Sequence, residues 1–352
     1  MSTSSRPLHV LVVGAGVFGR NHLRVYRELA AVGSHVGSIS VVDPNPAVLA
    51  KVSADFDVSA FSSVTAALEA LGPPDAASIC VPTQHHASAA EPLLSAGVSC
   101  LVEKPLAASL EDADRILLLA RTHDAIVQTG HLERFNPAVA AARARLNRPM
   151  FFEAHRLSIF TPRSLDVDVV LDLMIHDLDI VLSFVDSPVR EIRAVGLPVL
   201  SRKVDIANVR LEFENGCIAN FTASRVSTER VRKLRFFQPF QYLSLDFARQ
   251  DLLMIDVTAA EGADPAQLAA LTQVLQQGEH QSPGLSLNKI PVKGDEPLRL
   301  EIESFLNAIR AGTTPTVSGE EGRRALALAL SINESIRAHA KRAGLQCRHP
   351  ST

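Results

Sequence analysis

The stretch "VLVVGAGVFGRNH", residues 10–22, decides the first half of the fold. Its apolar run leads into a G-x-G-x-x-G pattern made by Gly14, Gly16 and Gly19, and a helical pattern follows. Glycines permit a tight turn and a close backbone approach, and the start of a helix offers free N–H groups to a pyrophosphate. The stretch therefore predicts a strand, a phosphate-binding turn and a helix.

The same alternation continues to residue 130. The short apolar runs are "ISVVD", "AASICV", "VSCLVEKP" and "AIVQTG", and a longer helical pattern follows each run but the last. This order predicts a parallel sheet with helices on both faces. We therefore expect an N-terminal Rossmann dinucleotide-binding domain at residues 1–130.

Asp43 ends the second apolar run, at the spacing expected for a hydrogen bond to an adenosine ribose. No Arg follows it to receive a 2′-phosphate, so the pattern favours NAD over NADP. The alternative is that the glycines only make a tight turn and that Asp43 caps the next helix.

After Phe151 the pattern changes to alternating apolar and polar positions. The runs "ANVRLEF" and "CIANFTA" flank Asn215-Gly216, a strong hairpin signal, and "KLRFFQPF" and "YLSLDF" continue the alternation. We expect residues 131–352 to form a C-terminal α+β domain with a large open, mainly antiparallel sheet. Residues 263–285 predict an inserted helix or mobile loop, and the C-terminal helix is expected to pack back on the first domain.

Charge and composition narrow the class of partner. The 352 residues include 35 basic and 38 acidic side chains, a net charge of −3, so no overall field draws the chain to nucleic acid or anionic lipid. The first residues lack the pattern of a signal peptide, and no run of about 18 residues is free of charge and polarity. We expect a cytoplasmic protein that acts on a small molecule, with its four cysteines as separate buried thiols.

Glu103 ends the fourth apolar run, "SCLVE", and Lys104 and Pro105 follow it. The carboxyl edge of an open parallel sheet is where such folds bind ligands. A Lys after a strand is equally consistent with a solvated surface charge, so this feature alone leaves both interpretations open.

The segment "VLDLMIHDLDIVLSF", residues 170–184, is apolar but carries four ionisable groups. On a regular helix Asp172, His176 and Asp179 are i, i+4 and i+7 and form one stripe, whereas Asp177 points elsewhere. The stripe has three interpretations: an internal hydrogen-bond network, a metal site, or general acid–base chemistry, which His suits because its pKa lies near neutrality. Because no clustered Cys or His supports a metal, we predict none.

Together, the glycine pattern, Glu-Lys-Pro, "GHLERFNP" at residues 130–137 and the D-x-x-x-H-x-x-D segment resemble the Gfo/Idh/MocA family of nicotinamide-dependent oxidoreductases. The resemblance covers nearly the whole chain. It implies NAD as cofactor, a Rossmann domain, and a C-terminal domain whose open sheet joins subunits into a homodimer or homotetramer. Met174 is a departure, because the family often has Gly two residues before the His.

The same resemblance implies roles for site residues. Lys104 would contact the reacting hydroxyl, with Pro105 after a cis peptide bond, His176 would be the base, and Asp172 would bind the sugar. The implied cofactor-binding set is Gly14, Gly16, Val17, Phe18, Gly19, Asp43, Pro82, Thr83, His85, Glu103, Lys104 and Arg134. The implied substrate-binding set is Lys104, Asn136, Arg156, Arg163, Asp172 and His176.

Residues 130–139, 153–181 and 223–237 resemble one branch of the family and imply a substrate. The expected reaction is NAD-dependent oxidation of the 3-hydroxyl of UDP-N-acetylglucosamine to the 3-keto sugar nucleotide, which feeds 3-amino sugar synthesis for lipid A. The alternatives are another sugar or cyclitol dehydrogenase of the same family and a non-catalytic NAD-binding regulator. Lys104 and His176 together argue against the regulator, because sensing needs neither a base nor a polariser.

Overall fold

A computed structural model describes residues 6–161, 167–256, 286–292 and 294–345. Arg163 and the segment 263–285 lie outside the described residues. The chain divides into two compact units. The first comprises Met1–Phe135 and Glu296–Ala327, and the second comprises Asn136–Asp295 and Leu328–Thr352.

A six-stranded parallel sheet forms the centre of the first unit, in the order β3-β2-β1-β4-β5-β6. Strands β4, β5 and β6 are buried along their whole length, which explains their near-continuous apolar sequence. The predicted Rossmann sheet is thereby confirmed. The strands are β1 (Leu8–Val13), β2 (Val36–Val42), β3 (Ser59–Phe61), β4 (Ala76–Ile79), β5 (Ser99–Glu103) and β6 (Val127–Gly130).

Helices of the first unit lie between these strands and in a later segment of the chain. Helix α8 (Pro297–Ala311) places Leu298, Ile302 and Phe305 in the core that also holds Leu23 of α1. The first unit is therefore completed by a helix that begins 167 positions after the end of its last strand, Gly130. The earlier helices are α1 (Val17–Ala31), α2 (Pro46–Phe56), α3 (Val64–Leu71), α4 (His86–Ser95) and α5 (Leu110–Thr122).

The second unit contains an eight-stranded sheet in the order β14-β13-β12-β11-β7-β10-β9-β8. All neighbouring pairs are antiparallel except β10 with β7. The hairpin predicted at Asn215-Gly216 joins β9 and β10, and Gly216 has a positive φ of 84°. The strands are β7 (Phe151–Leu157), β8 (Val189–Leu197), β9 (Ile206–Phe213), β10 (Ile218–Ser224), β11 (Val231–Gln238), β12 (Gln241–Asp246), β13 (Asp251–Asp256) and β14 (Ser286–Ile290).

One face of this sheet is covered by helix, and the packing is aromatic. Phe152 and Phe236 project from β7 and β11 against Phe184 of α7, with ring centroids 5.4–6.5 Å apart. The remaining helices are α6 (Pro137–Arg143), α7 (Ile175–Phe184) and α9 (Gly319–Arg342). Within the described ranges, no helix combines the length and the apolar character needed to cross a membrane.

The sequence predicts one regular helix for residues 170–184, and that prediction is wrong at its first turn. Val170–Met174 form a π-helical turn, and only Ile175–Phe184 are α-helical. A π turn is rare and is frequent at functional sites. Asp172 lies inside this wider turn and His176 lies after it, so their relative direction is not that of a regular helix.

Candidate active site

The glycine turn of the first unit has the geometry of a pyrophosphate cradle. Gly14 has a φ of +96°, and a methyl group on it would lie 2.8 Å from the backbone of Cys80. A methyl group on Gly19 would lie 1.8 Å from the carbonyl oxygen of Gly14, so both positions require glycine. Gly16 instead faces open space, and α1 begins there without a side-chain cap, which leaves its first N–H groups available to a phosphate.

The residues around this turn fit a dinucleotide. Val17 and Phe18 are 62% and 47% exposed, which is unusual for apolar side chains. A bound cofactor would cover them. Asp43 accepts hydrogen bonds from the Ala15 amide at 2.9 Å and the Asn45 amide at 2.9 Å. Asn45, rather than Asp43, caps α2, so the helix-capping alternative for Asp43 is wrong.

The Glu-Lys-Pro corner follows β5, with Lys104 partly exposed and the Lys104-Pro105 peptide bond cis, as the resemblance implied. Glu103 was expected to bind cofactor, but its carboxylate is buried and lies 3.0 Å from Nε2 of His22. Nδ1 of the fully buried His22 lies 3.1 Å from Oγ of Ser78 on β4. The corner is therefore attached to the helix that follows the glycine turn.

Gly130 on β6 pairs with Glu103 in the parallel sheet. A methyl group on Gly130 would lie 3.0–3.2 Å from Glu103 atoms, so the glycine leaves room for the carboxylate. His22, Cys80 and Glu103 each have one atom of a type that can bind a metal, and these three atoms lie within 4.8 Å of one another. Burial raises the pKa of the Cys80 thiol, and the charge of Glu103 adds to the rise, which keeps the sulfur protonated. His22 forms hydrogen bonds with Glu103 and Ser78, and the Cys80 thiol lies beside this pair.

His86 is a second histidine that the sequence did not single out. Its Nδ1 lies 3.0 Å from the carbonyl oxygen of Pro105, and its Nε2 lies 3.0 Å from that of Val81. Burial lowers the pKa of His86, against the opposing effect of these carbonyl contacts. The ring thus connects the loop after β4 to the Glu-Lys-Pro corner.

The remaining cofactor candidates lie on loops of the first unit. Thr83–His85 form a 3-10 turn after β4, with Pro82 and His85 exposed. Arg134 is buried and pairs with Glu321, which also accepts a hydrogen bond from the Ser318 amide at the start of α9. Their contacts with cofactor stay predictions.

In the second unit, Asp172 and His176 are both partly exposed, whereas Asp177 and Asp179 are buried. Asp177 accepts two hydrogen bonds from Arg156, one from Nε at 2.9 Å and one from Nη2 at 2.8 Å. This ion pair explains why Asp177 lies apart from the stripe of Asp172, His176 and Asp179. Burial of a bidentate pair also gives Arg156 a role that the sequence did not reveal.

Asn136 begins the second unit and caps α6. Its Oδ1 accepts a hydrogen bond from the Ala138 amide at 3.1 Å, and its Nδ2 donates one to the carbonyl of Phe247 at 3.0 Å. The substrate contact expected for Asn136 stays a prediction. Cysteines 80, 100 and 217 are free thiols, and burial raises the pKa of Cys217 to about 11.

These features define the class of protein: a dinucleotide-binding oxidoreductase with a second, α+β unit. The family model described as "Oxidoreductase family, NAD-binding Rossmann fold" matches residues 8–131, and the one described as "GFO/IDH/MocA C-terminal domain" matches residues 138–237. The chain belongs to the Gfo/Idh/MocA family, its first unit is an NAD-binding domain and its cofactor is NAD.

Three relatives refine this assignment. The chain is 36% identical over 332 residues to UDP-N-acetylglucosamine 3-dehydrogenase of Acidithiobacillus ferrooxidans, covering 94% of this chain and 98% of that protein. A solved structure of that enzyme matches with a TM-score of 0.81 at 35% identity, covering 94% of this chain and 98% of that one. Myo-inositol 2-dehydrogenase of Thermotoga maritima is 25% identical over 74% of this chain and 77% of its own length. Levoglucosan dehydrogenase, solved with NADH and levoglucosan, shares the fold at 17% identity, with a TM-score of 0.80 over 95% of this chain and 98% of its own.

Proposed function

We propose that this protein oxidises the 3-hydroxyl of UDP-N-acetylglucosamine to the 3-keto sugar nucleotide, with NAD as hydride acceptor. The observation that carries the proposal is 36% identity, over 94% of the chain, to an enzyme named for that reaction. The same proposal includes delivery of the product to 3-amino sugar synthesis for lipid A, because a 3-keto sugar is what an aminotransferase needs to install an amine at that carbon.

Each proposed role follows from the chemistry of the side chain. Oxidation breaks the C3–H and O–H bonds of the alcohol and forms a C=O bond, and the hydroxyl proton would pass to His176. Lys104 carries a cationic donor that stabilises the oxygen as negative charge develops on it. Asp172 would accept a hydrogen bond from a sugar hydroxyl. NAD, when bound, supplies the hydride acceptor.

The diphosphate of the substrate requires a cationic partner, and the predicted substrate-binding set contains two arginines, Arg156 and Arg163. Arg156 is 3% exposed and bidentate on Asp177. If its guanidinium moved to a diphosphate, the buried Asp177 carboxylate would lose its cationic partner. Breaking a buried ion pair in this way costs about 3–5 kcal/mol of stability. We therefore propose Arg163 as the diphosphate ligand and Arg156 as a residue that fixes α7.

We also propose a cytoplasmic homo-oligomer that assembles through the second unit's sheet. The sheet face opposite α7 carries Phe151, Phe237 and Tyr242 as a ring cluster, with centroids 5.0–5.5 Å apart. Phe237 is 38% exposed, which is unfavourable for an aromatic side chain unless a partner covers it. Light scattering of the purified chain tests the assembly, and Phe237→Glu should weaken it.

The experiment that tests the reaction is incubation of the pure protein with NAD and UDP-N-acetylglucosamine while NADH absorbance is followed. A coupled aminotransferase removes the keto product if the equilibrium is unfavourable. Matched assays contain UDP-glucose, free N-acetylglucosamine and myo-inositol. Turnover of myo-inositol or a free sugar, with none of the UDP-sugar, would support the second candidate, a sugar or cyclitol dehydrogenase, which the Thermotoga maritima relative favours. NAD binding without turnover of any of them would support a regulator.

A further inference from the structure

The start of the π turn in the second unit is held by side chains that do not belong to the turn. Asp168 lies just before it, and one carboxylate oxygen, Oδ1, accepts hydrogen bonds from the amides of Val170 at 2.9 Å and Leu171 at 3.1 Å. Its backbone carbonyl accepts the amide of Asp172 at 3.0 Å. Asp168 therefore makes three bonds to the turn that carries Asp172.

The other carboxylate oxygen of Asp168 has a partner from the end of the chain. Nδ2 of Asn333, on α9, donates a hydrogen bond to Oδ2 of Asp168 at 3.0 Å. Asn333 is 7% exposed, although it lies on a helix that otherwise buries apolar residues such as Ile332 and Ile336. A buried amide at such a position has a net cost unless its hydrogen bonds are made, so its position indicates a specific partner.

A second set of contacts holds the residues on either side of Asp168. Nη2 of Arg225 donates a hydrogen bond to the carbonyl of Val167 at 2.6 Å, and the Val169 amide donates to the carbonyl of Val204 at 3.1 Å. Gly196 permits this arrangement, because a methyl group there would lie 2.7 Å from the side chain of Val204.

Asp205 fixes that second set. It is fully buried and accepts the amides of Val199, Leu200 and Ser201 at 2.7–2.8 Å, while its Oδ1 lies 3.7 Å from Nε of Arg225. Burial acts to raise the pKa of Asp205, but these hydrogen bonds outweigh it and hold the pKa below its ordinary value. The carboxylate therefore stays ionised beside Arg225.

We propose that Asp168, clamped by Asn333, is a positioning residue for the oxidation. It keeps residues 170–174 in a π turn and so sets the direction of Asp172 relative to His176. The inference rests on the proposed function, since it takes Asp172 and His176 as the groups that meet the sugar. A regular α turn would place the residues before His176 at a different angle.

The test compares Asp168→Ala, Asp168→Asn and Asn333→Ala in the full chain with NAD and UDP-N-acetylglucosamine. Loss of position by about 1 Å costs on the order of 100-fold, so Asp168→Ala should lower kcat by about 10- to 100-fold. KM for the sugar nucleotide should rise as well, because Asp172 contacts the sugar, whereas Kd for NAD should stay within about twofold of wild type, because the glycine turn is unchanged. Amide hydrogen exchange of residues 170–174 should become faster.

Conservative and matched variants separate position from stability. Asparagine at 168 still accepts both amides through its oxygen, and Asn333 can turn its own amide oxygen toward it, so Asp168→Asn should recover most of the turnover. Ser63→Ala removes an equivalent bond at the start of α3, to the Ala66 amide, and should lower the thermal midpoint by about 2–4 °C without changing kcat. Glu334→Ala, at an exposed neighbour of Asn333, is the control for α9.

Each outcome has one meaning. If wild-type protein forms no NADH from the sugar nucleotide, the proposed function fails and this inference falls with it. If wild type is active and Asp168→Ala has the same kcat, only the positioning role is overturned. A rise of the NAD Kd would also overturn it, because the glycine turn lies outside the positioned segment. If Asp168→Ala does not fold, Asn333→Ala decides by the same comparison of kcat with the NAD Kd.

Discussion

The corner around Lys104 and the turn before His176 are the two regions to which the proposed reaction assigns its polar groups, and they are held in different ways. Lys104 directly follows a buried strand that is paired on both sides. His176 follows a π turn, and the residues just before that turn are held by Arg225, which directly follows β10, and by Asn333 on α9. The backbone ladder fixes the first region, with His22 and His86 as additional contacts, whereas, within the described residues, the start of the second region has no such ladder and depends on contacts from distant side chains. The second region should be the more sensitive to substitutions outside its own segment.

The largest expected effect removes one polar group from each region. Lys104→Ala and His176→Ala should each lower turnover by about 10²–10⁴-fold, the usual contribution of a group that acts on a proton in the transition state. NAD binding should survive in both, because the glycine turn is unchanged. Steady-state kinetics and NAD titration measure the two properties, with the exposed Lys51→Ala as control. Near-normal turnover in either variant would remove that residue from the mechanism.

The next effect is on the stability of the second region. Asp177→Ala leaves the buried guanidinium of Arg156 without its bidentate partner and should cost about 3–5 kcal/mol of unfolding free energy. Glu191→Ala breaks an exposed pair with Arg193 and should cost less than about 1 kcal/mol. Denaturant unfolding compares the two variants. Equal costs would mean that the buried pair does not hold α7.

A smaller loss is expected in the first region. His22→Ala leaves the buried Glu103 and Ser78 without the imidazole, and should cost about 1–3 kcal/mol. Turnover should fall as well, since Glu103 directly precedes Lys104. The exposed His123→Ala is the control, and both are measured by unfolding and by kcat. If His22→Ala lowers turnover more than Asp168→Ala does, the ranking of the two regions is reversed.

The smallest expected effect is a pH dependence at the corner. The pKa of His86 in the folded chain lies below 6.5, its ordinary value, so the unfolded chain binds more protons between these two values. The neutral His86 ring therefore contributes its full stabilisation above pH 6.5. This contribution is lost as the pH falls toward the pKa of His86 in the folded chain. His86→Gln should remove this pH dependence. The measurement is the unfolding free energy of wild type and variant above and below pH 6.5. An equal change with pH in both proteins would contradict a role for His86 in the pH dependence.

Residues close together in the sequence determined most of the fold. The apolar runs, the glycine spacing and Asn215-Gly216 each act through neighbours a few positions away, so the parallel sheet and the hairpin follow from local pattern. The same holds for the cradle at Gly14 and for Asp43, whose spacing is fixed by one strand–helix–strand unit.

Tertiary structure alone decided what holds the functional residues. His22 meets Glu103 across 81 positions, Asp168 meets Asn333 across 165, and Arg156 meets Asp177 from a different element. None of these pairs follows the repeat of a helix or a strand in the sequence. The partner of a buried polar group is set by burial and hydrogen-bond geometry and not by spacing along the chain. For the same reason the sequence predicted Arg156 as a substrate ligand and missed its buried carboxylate partner. The sequence by itself determined the NAD-binding architecture and named Lys104 and His176, and the folded chain decided how they are held.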